Sequence, residues 1–316
     1  MKITVLNESF LKDKHIARLK KLGELEMFAE TTTLEQAVER LSTSDVAIID
    51  CYVTPLKNQL FEQCKNLKYI TINSTGYDLV DLAAAKEHKI TISNLPGYST
   101  EAVAEHAIAL LFAINRKIVL MDKRMRVKPY EIDPADTTQA PLLGFNLKGR
   151  TIGIIGLGSI GQRVAEIAHG IGMKVIAYNR SPKTIAHVTM VTLEELFKTS
   201  DVISIHTPLN ADSENLITEK ELALMQPHSL LINTARGKVI NTQALYTALK
   251  EHKIGGAGID VLAEWDQKNP LLSLDNIILS PHAAWFTSDS FESLADMVVD
   301  NVEAYVQGTP VHVITS

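Results

Sequence analysis

The sequence predicts an α/β protein of two domains, each built on a parallel sheet. Three observations carry that expectation. The chain has 316 residues, 46% hydrophobic and 22% charged, which is too long for one typical core and has enough apolar material for two. Through the first third, short apolar runs alternate with segments of helical periodicity, the pattern of a parallel sheet with crossover helices. A second alternating series begins at Thr151 and opens on a glycine-rich turn.

Taken in order, Lys2–Leu6 reads as a strand, residues 13–21 as a helix, Glu24–Phe28 as a short strand and Leu34–Leu41 as a helix. Residues 46–51 form the next strand, 57–63 a helix, 69–73 a strand, 82–86 a helix and Thr91–Ser93 a strand. Asn94-Leu95-Pro96-Gly97 then interrupts the pattern. A long helix starts near Thr100. Ser99 or Thr100 can cap it, and Glu101 suits its first turn. The apolar stretch 102–120 comes nearest to a membrane span, but it contains Glu105, His106, Asn115, Arg116 and Lys117 and reads as a buried core helix. Residues 128–148 are polar and irregular and read as a surface arm. The second series places strands at 151–155, 174–178, 202–206, 230–233, 256–260 and 277–279, with helices between them. A last helix covers about 288–306, and 311–314 is extended.

Charge and cysteine content narrow the class. The formal net charge is −6, and the densest cationic group, Lys117, Lys123, Arg124, Arg126 and Lys128, reads as a solvated helix end, so no nucleic-acid partner is expected. Cys51 and Cys64 are too few for a disulfide framework, which suggests a reducing compartment. The first ten residues lack the charged-then-apolar pattern of a secretion signal. A cytoplasmic protein without membrane spans is the expectation.

The turn after the strand at 151–155 is Gly156-Leu157-Gly158-Ser159-Ile160-Gly161, a G-x-G-x-x-G opening a helix that leads to a second strand at 174–178. In that context the pattern predicts a Rossmann-like dinucleotide site. Gly156 permits the tight turn, Gly158 lets backbone approach a pyrophosphate on the helix N-terminus, and Gly161 allows close helix–sheet packing. An NAD site places an acid at the end of the second strand to bind the ribose 2′-hydroxyl. Here that segment is Asn179-Arg180-Ser181-Pro182-Lys183. The acid is missing, and Arg180, Ser181 and Lys183 could bind a 2′-phosphate, so NADP(H) is expected to be preferred, with NAD(H) possible.

Three later segments end successive strands: Asn233-Thr234-Ala235-Arg236-Gly237, then Gly258-Ile259-Asp260-Val261-Leu262-Ala263-Glu264, then Ser280-Pro281-His282-Ala283-Ala284-Trp285. Strand C-termini of a parallel sheet face one crevice. An Arg, an acid and a His converging there suit keto-acid reduction. Arg236 can hold a carboxylate and polarise the neighbouring carbonyl, and His282 can protonate the developing alkoxide. Glu264 can bond the other ring nitrogen of His282 and raise its basicity.

With these stretches the chain resembles the D-isomer-specific 2-hydroxyacid dehydrogenase family along essentially its whole length. Ser74-Thr75-Gly76-Tyr77-Asp78, residues 96–106, the glycine turn, His206-Thr207-Pro208-Leu209 and the three segments above all occur in the family's order. The look is nearest to glycerate dehydrogenases and hydroxypyruvate or glyoxylate reductases. The resemblance implies a catalytic set of Arg236, Glu264 and His282, with the substrate carboxylate on backbone N–H groups at Thr75 and Gly76. It implies a cofactor set of Gly156, Gly158, Ser159, Ile160, Gly161, Asn179, Arg180, Ser181, His206, Thr207, Pro208, Thr234, Ala235, Asp260 and His282, with Asp260 meeting the nicotinamide amide. It also implies a discontinuous, flavodoxin-like substrate domain of residues 1–98 and 288–316, a dinucleotide-binding domain of 99–287, and a homodimer to which the arm near 121–148 contributes. No metal is expected. The family's acid usually stands five residues after the equivalent of Asp260, where this chain has Trp265 between Glu264 and Asp266. Glu264 is the assignment and Asp266 the alternative. A nucleotide-sensing binding protein of the C-terminal-binding corepressor type is the competing reading, since the same fold serves both.

Overall fold

The structure is a computed structural model that describes residues 1–7 and 10–315. The chain divides into two compact units, Met1–Ser99 with Phe286–Ser316, and Thr100–Trp285.

In the first unit, strands β1 (Lys2–Leu6), β2 (Glu24–Phe28), β3 (Val46–Ile49), β4 (Tyr69–Ile72) and β5 (Thr91–Ser93) form a wholly parallel sheet in the order β2-β1-β3-β4-β5. This is the flavodoxin-like order. Helices α1 (Asp13–Leu22), α2 (Leu34–Leu41), α3 (Asn58–Gln63) and α4 (Leu82–Glu87) connect the strands. Every residue of Val46–Ile49 is buried, as a strand covered on both faces requires. One face packs Leu41, Leu60, Phe61 and Ala85 against the sheet. On the other, Leu294, Val298, Val299 and Val302 of the C-terminal helix (Ser288–Val306) join Leu19 over Ile3, Val5 and Ile48. That packing returns the chain's end to its beginning.

In the second unit, α5 (Thr100–Asn115) and α6 (Ile118–Val127) precede β6 (Thr151–Ile155), α7 (Ser159–Gly170), β7 (Lys174–Tyr178), β8 (Val188–Met190), α8 (Leu193–Thr199) and β9 (Val202–Ile205). Then come α9 (Glu219–Leu222), β10 (Leu230–Asn233), α10 (Thr242–Lys250), β11 (Gly256–Ile259) and β12 (Ile277–Leu279). The final helix, α11, is the one at Ser288–Val306 that belongs to the first unit. The sheet order is β12-β11-β10-β9-β6-β7-β8, all parallel. From β6 the chain winds outward to β8, then returns to place β9 on the other side of β6. That reversal is the doubly wound switch point where such sheets bind ligands.

Two elements differ from the sequence expectation. The helix expected through residue 120 ends at Asn115, and Lys117 takes φ 52° before α6 starts. The Asn115 amide is used by the arm: its Nδ2 donates to Phe145 O at 2.8 Å and its Oδ1 accepts from Phe145 N at 3.1 Å. Beyond that break no residue of α6 is buried. The other difference is β8, a three-residue strand at the sheet edge whose Val-Thr-Met is too short to show alternation. Within the arm, residues 137–142 form a 3₁₀ helix. Among the described residues, no helix is long and apolar enough to cross a membrane.

Candidate active site

Strand register lines up the site. Tyr178, Ile155, Ile205, Asn233, Ile259 and Leu279 are successive neighbours across β7, β6, β9, β10, β11 and β12. One residue further along each strand stand Asn179, Gly156, His206, Thr234, Asp260 and Ser280. Adjacent strands lie about 4.8 Å apart, so these six positions form one row along the carboxyl edge of the sheet. Five of them are residues singled out from the sequence.

At the switch point, Gly156 has φ 96°, and a Cβ there would meet His206 O at 2.7 Å, so only glycine fits. A Cβ on Gly161 would lie 2.0 Å from Gly156 O, which is the close packing expected of the third glycine. A Cβ on Gly158 would meet nothing within 4 Å. That residue opens α7, whose first-turn N–H groups lack carbonyl partners within the helix. Ser159 is exposed and accepts from Thr100 Oγ1 at 3.3 Å, while Ile160 packs into the core. Asn179 ties the turn to β7: its Oδ1 accepts from Leu157 N at 3.0 Å and its Nδ2 donates to Ser181 O at 2.7 Å. Lys183 Nζ donates to Leu157 O at 2.8 Å, so this cation sits at the glycine turn itself. Arg180 is exposed and paired with Asp212 at 2.9 Å.

On the other side of the switch point, His206 Nε2 lies 2.8 Å from Ser204 Oγ, and burial of the ring pushes its pKa down to about 3. The imidazole is therefore neutral at physiological pH. Thr207 is half-buried and Pro208 exposed, with Pro208 O accepting from Ser213 Oγ at 2.6 Å. Thr234 is 91% shielded, and its Oγ1 is buried without a hydrogen-bond partner. Ala235 is shaped by a residue whose role the sequence did not disclose. The buried Asn233 accepts from Ala235 N at 2.9 Å and donates to Arg236 O at 3.0 Å, folding the turn that presents Arg236. Arg236 is half-buried, and its Nη1 donates to Ala235 O at 2.9 Å.

A Cβ on Gly237 would lie 2.2 Å from Leu262 C and from Ala263 N. The Arg236–Gly237 backbone thus runs against the segment leading into Glu264. Glu264 is exposed, with its carbonyl accepting from Asn269 Nδ2 at 3.1 Å. Asp266 Oδ1 accepts from Lys268 N at 2.9 Å and so braces its own turn. His282 has φ 55°, and its N–H lies 2.8 Å from Asp260 O and 3.1 Å from Ser280 O. Asp260 is fully buried: Oδ1 accepts from Ser280 Oγ at 2.6 Å and Ala283 N at 2.9 Å, and Oδ2 from Ala284 N at 3.1 Å. Its carboxylate therefore holds the histidine turn, beyond the cofactor contact the resemblance implies.

Thr75 and Gly76 lie in the first unit, on the loop after β4. Ser74 Oγ donates to Gly76 O at 2.7 Å, Thr75 Oγ1 to Leu95 O at 2.6 Å, and Asn94 Nδ2 to Thr75 O at 2.7 Å. Three side-chain bonds thus fix the loop backbone.

Residues 108–284 match the model of the D-isomer specific 2-hydroxyacid dehydrogenase NAD binding domain. A glycerate dehydrogenase of Methylorubrum extorquens is 38% identical over 296 residues, 92% of each chain. The chain belongs to the D-isomer specific 2-hydroxyacid dehydrogenase family. A glyoxylate reductase of Thermococcus litoralis is 37% identical, covering 98% of this chain and 95% of its own. Among solved structures, an acyclic imino acid reductase in complex with NADPH and D-Arg superposes with a TM-score of 0.93 at 41% identity, covering 99% of this chain and 100% of its own.

This dehydrogenase uses a nicotinamide cofactor, and its residues fit one. The open space at Gly158 above the N-terminus of α7 suits a pyrophosphate, and the orphaned Thr234 Oγ1 offers a buried polar partner on the same edge.

Proposed function

We propose that the chain reduces a small 2-keto acid, hydroxypyruvate or glyoxylate foremost, to the 2-hydroxy acid, with NADP(H) preferred over NAD(H). The supporting observation is that the turns carrying Arg236, Glu264 and His282 follow adjacent strands β10, β11 and β12 at one sheet edge. When bound, the reduced nicotinamide supplies a hydride to C2 of the substrate. The Arg236 guanidinium pairs with the substrate carboxylate and draws electron density from the carbonyl. His282 gives its ring proton to the oxygen that becomes the hydroxyl, and Glu264 stabilises the imidazolium that precedes this transfer. Backbone N–H groups at Thr75 and Gly76 hold the carboxylate. The first unit serves as the substrate domain and the second as the cofactor domain.

The preference for NADP(H) rests on the end of β7. Asn179 brings no charge to repel a 2′-phosphate, and its side-chain oxygen already accepts from Leu157 N. The Arg180–Asp212 pair is exposed on both sides, and such pairs contribute under about 1 kcal/mol, so Arg180 can exchange its partner for phosphate. The homodimer reading rests on α6 and the arm, where Ile118, Met125, Val127 and Leu143 are exposed. The two cysteines are free and buried, in keeping with a cytoplasmic location.

The imino acid reductase among the similar structures supports a second reading, reduction of a 2-imino acid. Arg236 would hold the same carboxylate in both. The test is a panel of 2-keto acids with NADPH and with NADH, each with and without added ammonium. Turnover of hydroxypyruvate or glyoxylate without ammonium supports the first reading. Turnover that requires ammonium and yields an amino acid supports the second. Tight cofactor binding with no turnover under any of these conditions overturns both readings.

A further inference from the structure

The histidine turn is built in an expensive conformation. His282 has φ 55°, a left-handed backbone that is unfavourable for a non-glycine residue. Something must select it. The main chain of Asp260 supplies part of the restraint, since its carbonyl lies 2.8 Å from His282 N. The side chain supplies more, through Ala283 N and Ala284 N. A fully buried carboxylate needs such donors, and Ser280 Oγ is a third at 2.6 Å.

Ser280 in turn has a partner from outside the turn. His106 of α5 places Nε2 at 2.9 Å from Ser280 Oγ, and 3.6 Å from Asp260 Oδ1, too far for a direct bond. Ser280 has one hydroxyl proton, and Asp260 takes it. The bond with His106 therefore runs the other way: Nε2–H donates to Ser280 Oγ, which donates to Asp260 Oδ1. Each donation strengthens the next in a low-dielectric setting.

We propose that His106 and Ser280 are positioning residues for this reaction: with Asp260 they form a directional hydrogen-bonded clamp that holds His282 in register. This rests on the reading of His282 as proton donor. In this chain of bonds His106 acts through Ser280 and Asp260.

The test is a double-mutant cycle on the full-length enzyme with hydroxypyruvate and NADPH. Ser280→Ala and His106→Leu should each lower kcat by about 10- to 100-fold, the scale of a misplacement near 1 Å, with NADPH affinity by fluorescence kept within about twofold. His106→Gln, whose amide can still donate, should recover much of the loss. In a His282→Ala background, Ser280→Ala and His106→Leu should have little further effect on kcat, because the group they position is gone. Unchanged kcat in both single variants overturns the proposal. So does an equal fall in the His282→Ala background, which would mark a merely structural role. Should Ser280→Ala not fold, His106→Leu alone decides, since it leaves the Ser280–Asp260 bond intact. Near-normal turnover in His282→Ala by itself overturns the proton-donor reading instead, and is visible before either clamp variant is made.

Discussion

At the scale of single residues, two side chains make distinguishable claims. Glu264 is exposed beside the Arg236–Gly237 backbone contact, whereas Asp266 is engaged in its own turn. Glu264→Gln should therefore lower kcat and move the pH profile for reduction to lower pH, because a neutral amide no longer stabilises the His282 imidazolium. Asp266→Asn should do neither, and steady-state rates from pH 5 to 9 would separate them. The reverse outcome would transfer the acid's role to Asp266. His206 makes a claim about stability. Its native pKa, about 3, lies below the usual 6.5. The unfolded ring takes up a proton as pH falls through 6.5 and the folded ring refuses it until about 3, so its contribution to stability is present above 6.5 and lost on acidification. Urea unfolding of His206→Gln between pH 6.5 and 5 should show a shallower loss than the parent, by up to about 1.4 kcal/mol per pH unit. Equal slopes would mean that the ring is not shielded.

At the scale of elements, most strands were legible because each is a short apolar run between turn signals. The sequence marks β1, β2, β5, β6, β7, β10 and β12 at their observed bounds. What failed was governed by contacts distant in sequence. The helix from Thr100 stops where Asn115 turns to serve Phe145, thirty residues on. Nothing local in Ile-Asn-Arg-Lys announces that. The glycine turn was readable because steric demands leave a residue-type signature. The roles of Asn233, Ser280 and His106 were not, because a hydrogen-bonding side chain does not name its partner. The Ser before Pro281 and the His at the second turn of α5 were the available signals, and only the fold joins them. The break at Asn115 also frees α6 from the core and leaves Met125 and Val127 exposed. On the proposed homodimer reading, the parent should be a dimer by light scattering and a Val127→Glu, Leu143→Glu double variant a monomer. An unchanged mass would remove this surface from the subunit contact.

At the scale of the whole molecule, a single register aligns six strand ends, so chemistry distributed over more than a hundred residues of sequence meets on one edge. In the proposed function, cofactor choice is read at one end of that row and proton transfer at the other. At the β7 end, Arg180→Ala should raise the KM for NADPH far more than that for NADH, and equal effects would take Arg180 out of phosphate binding. At the β12 end stands the group on which the reading as an active reductase depends. The most direct measurement is the kcat of His282→Ala with hydroxypyruvate, taken with its NADPH affinity by fluorescence on the same preparation. Loss of a general acid should lower kcat by about 10²–10⁴-fold while NADPH affinity persists, since the Gly156–Gly161 turn that suits the dinucleotide is untouched. Near-normal turnover in that variant would contradict the account.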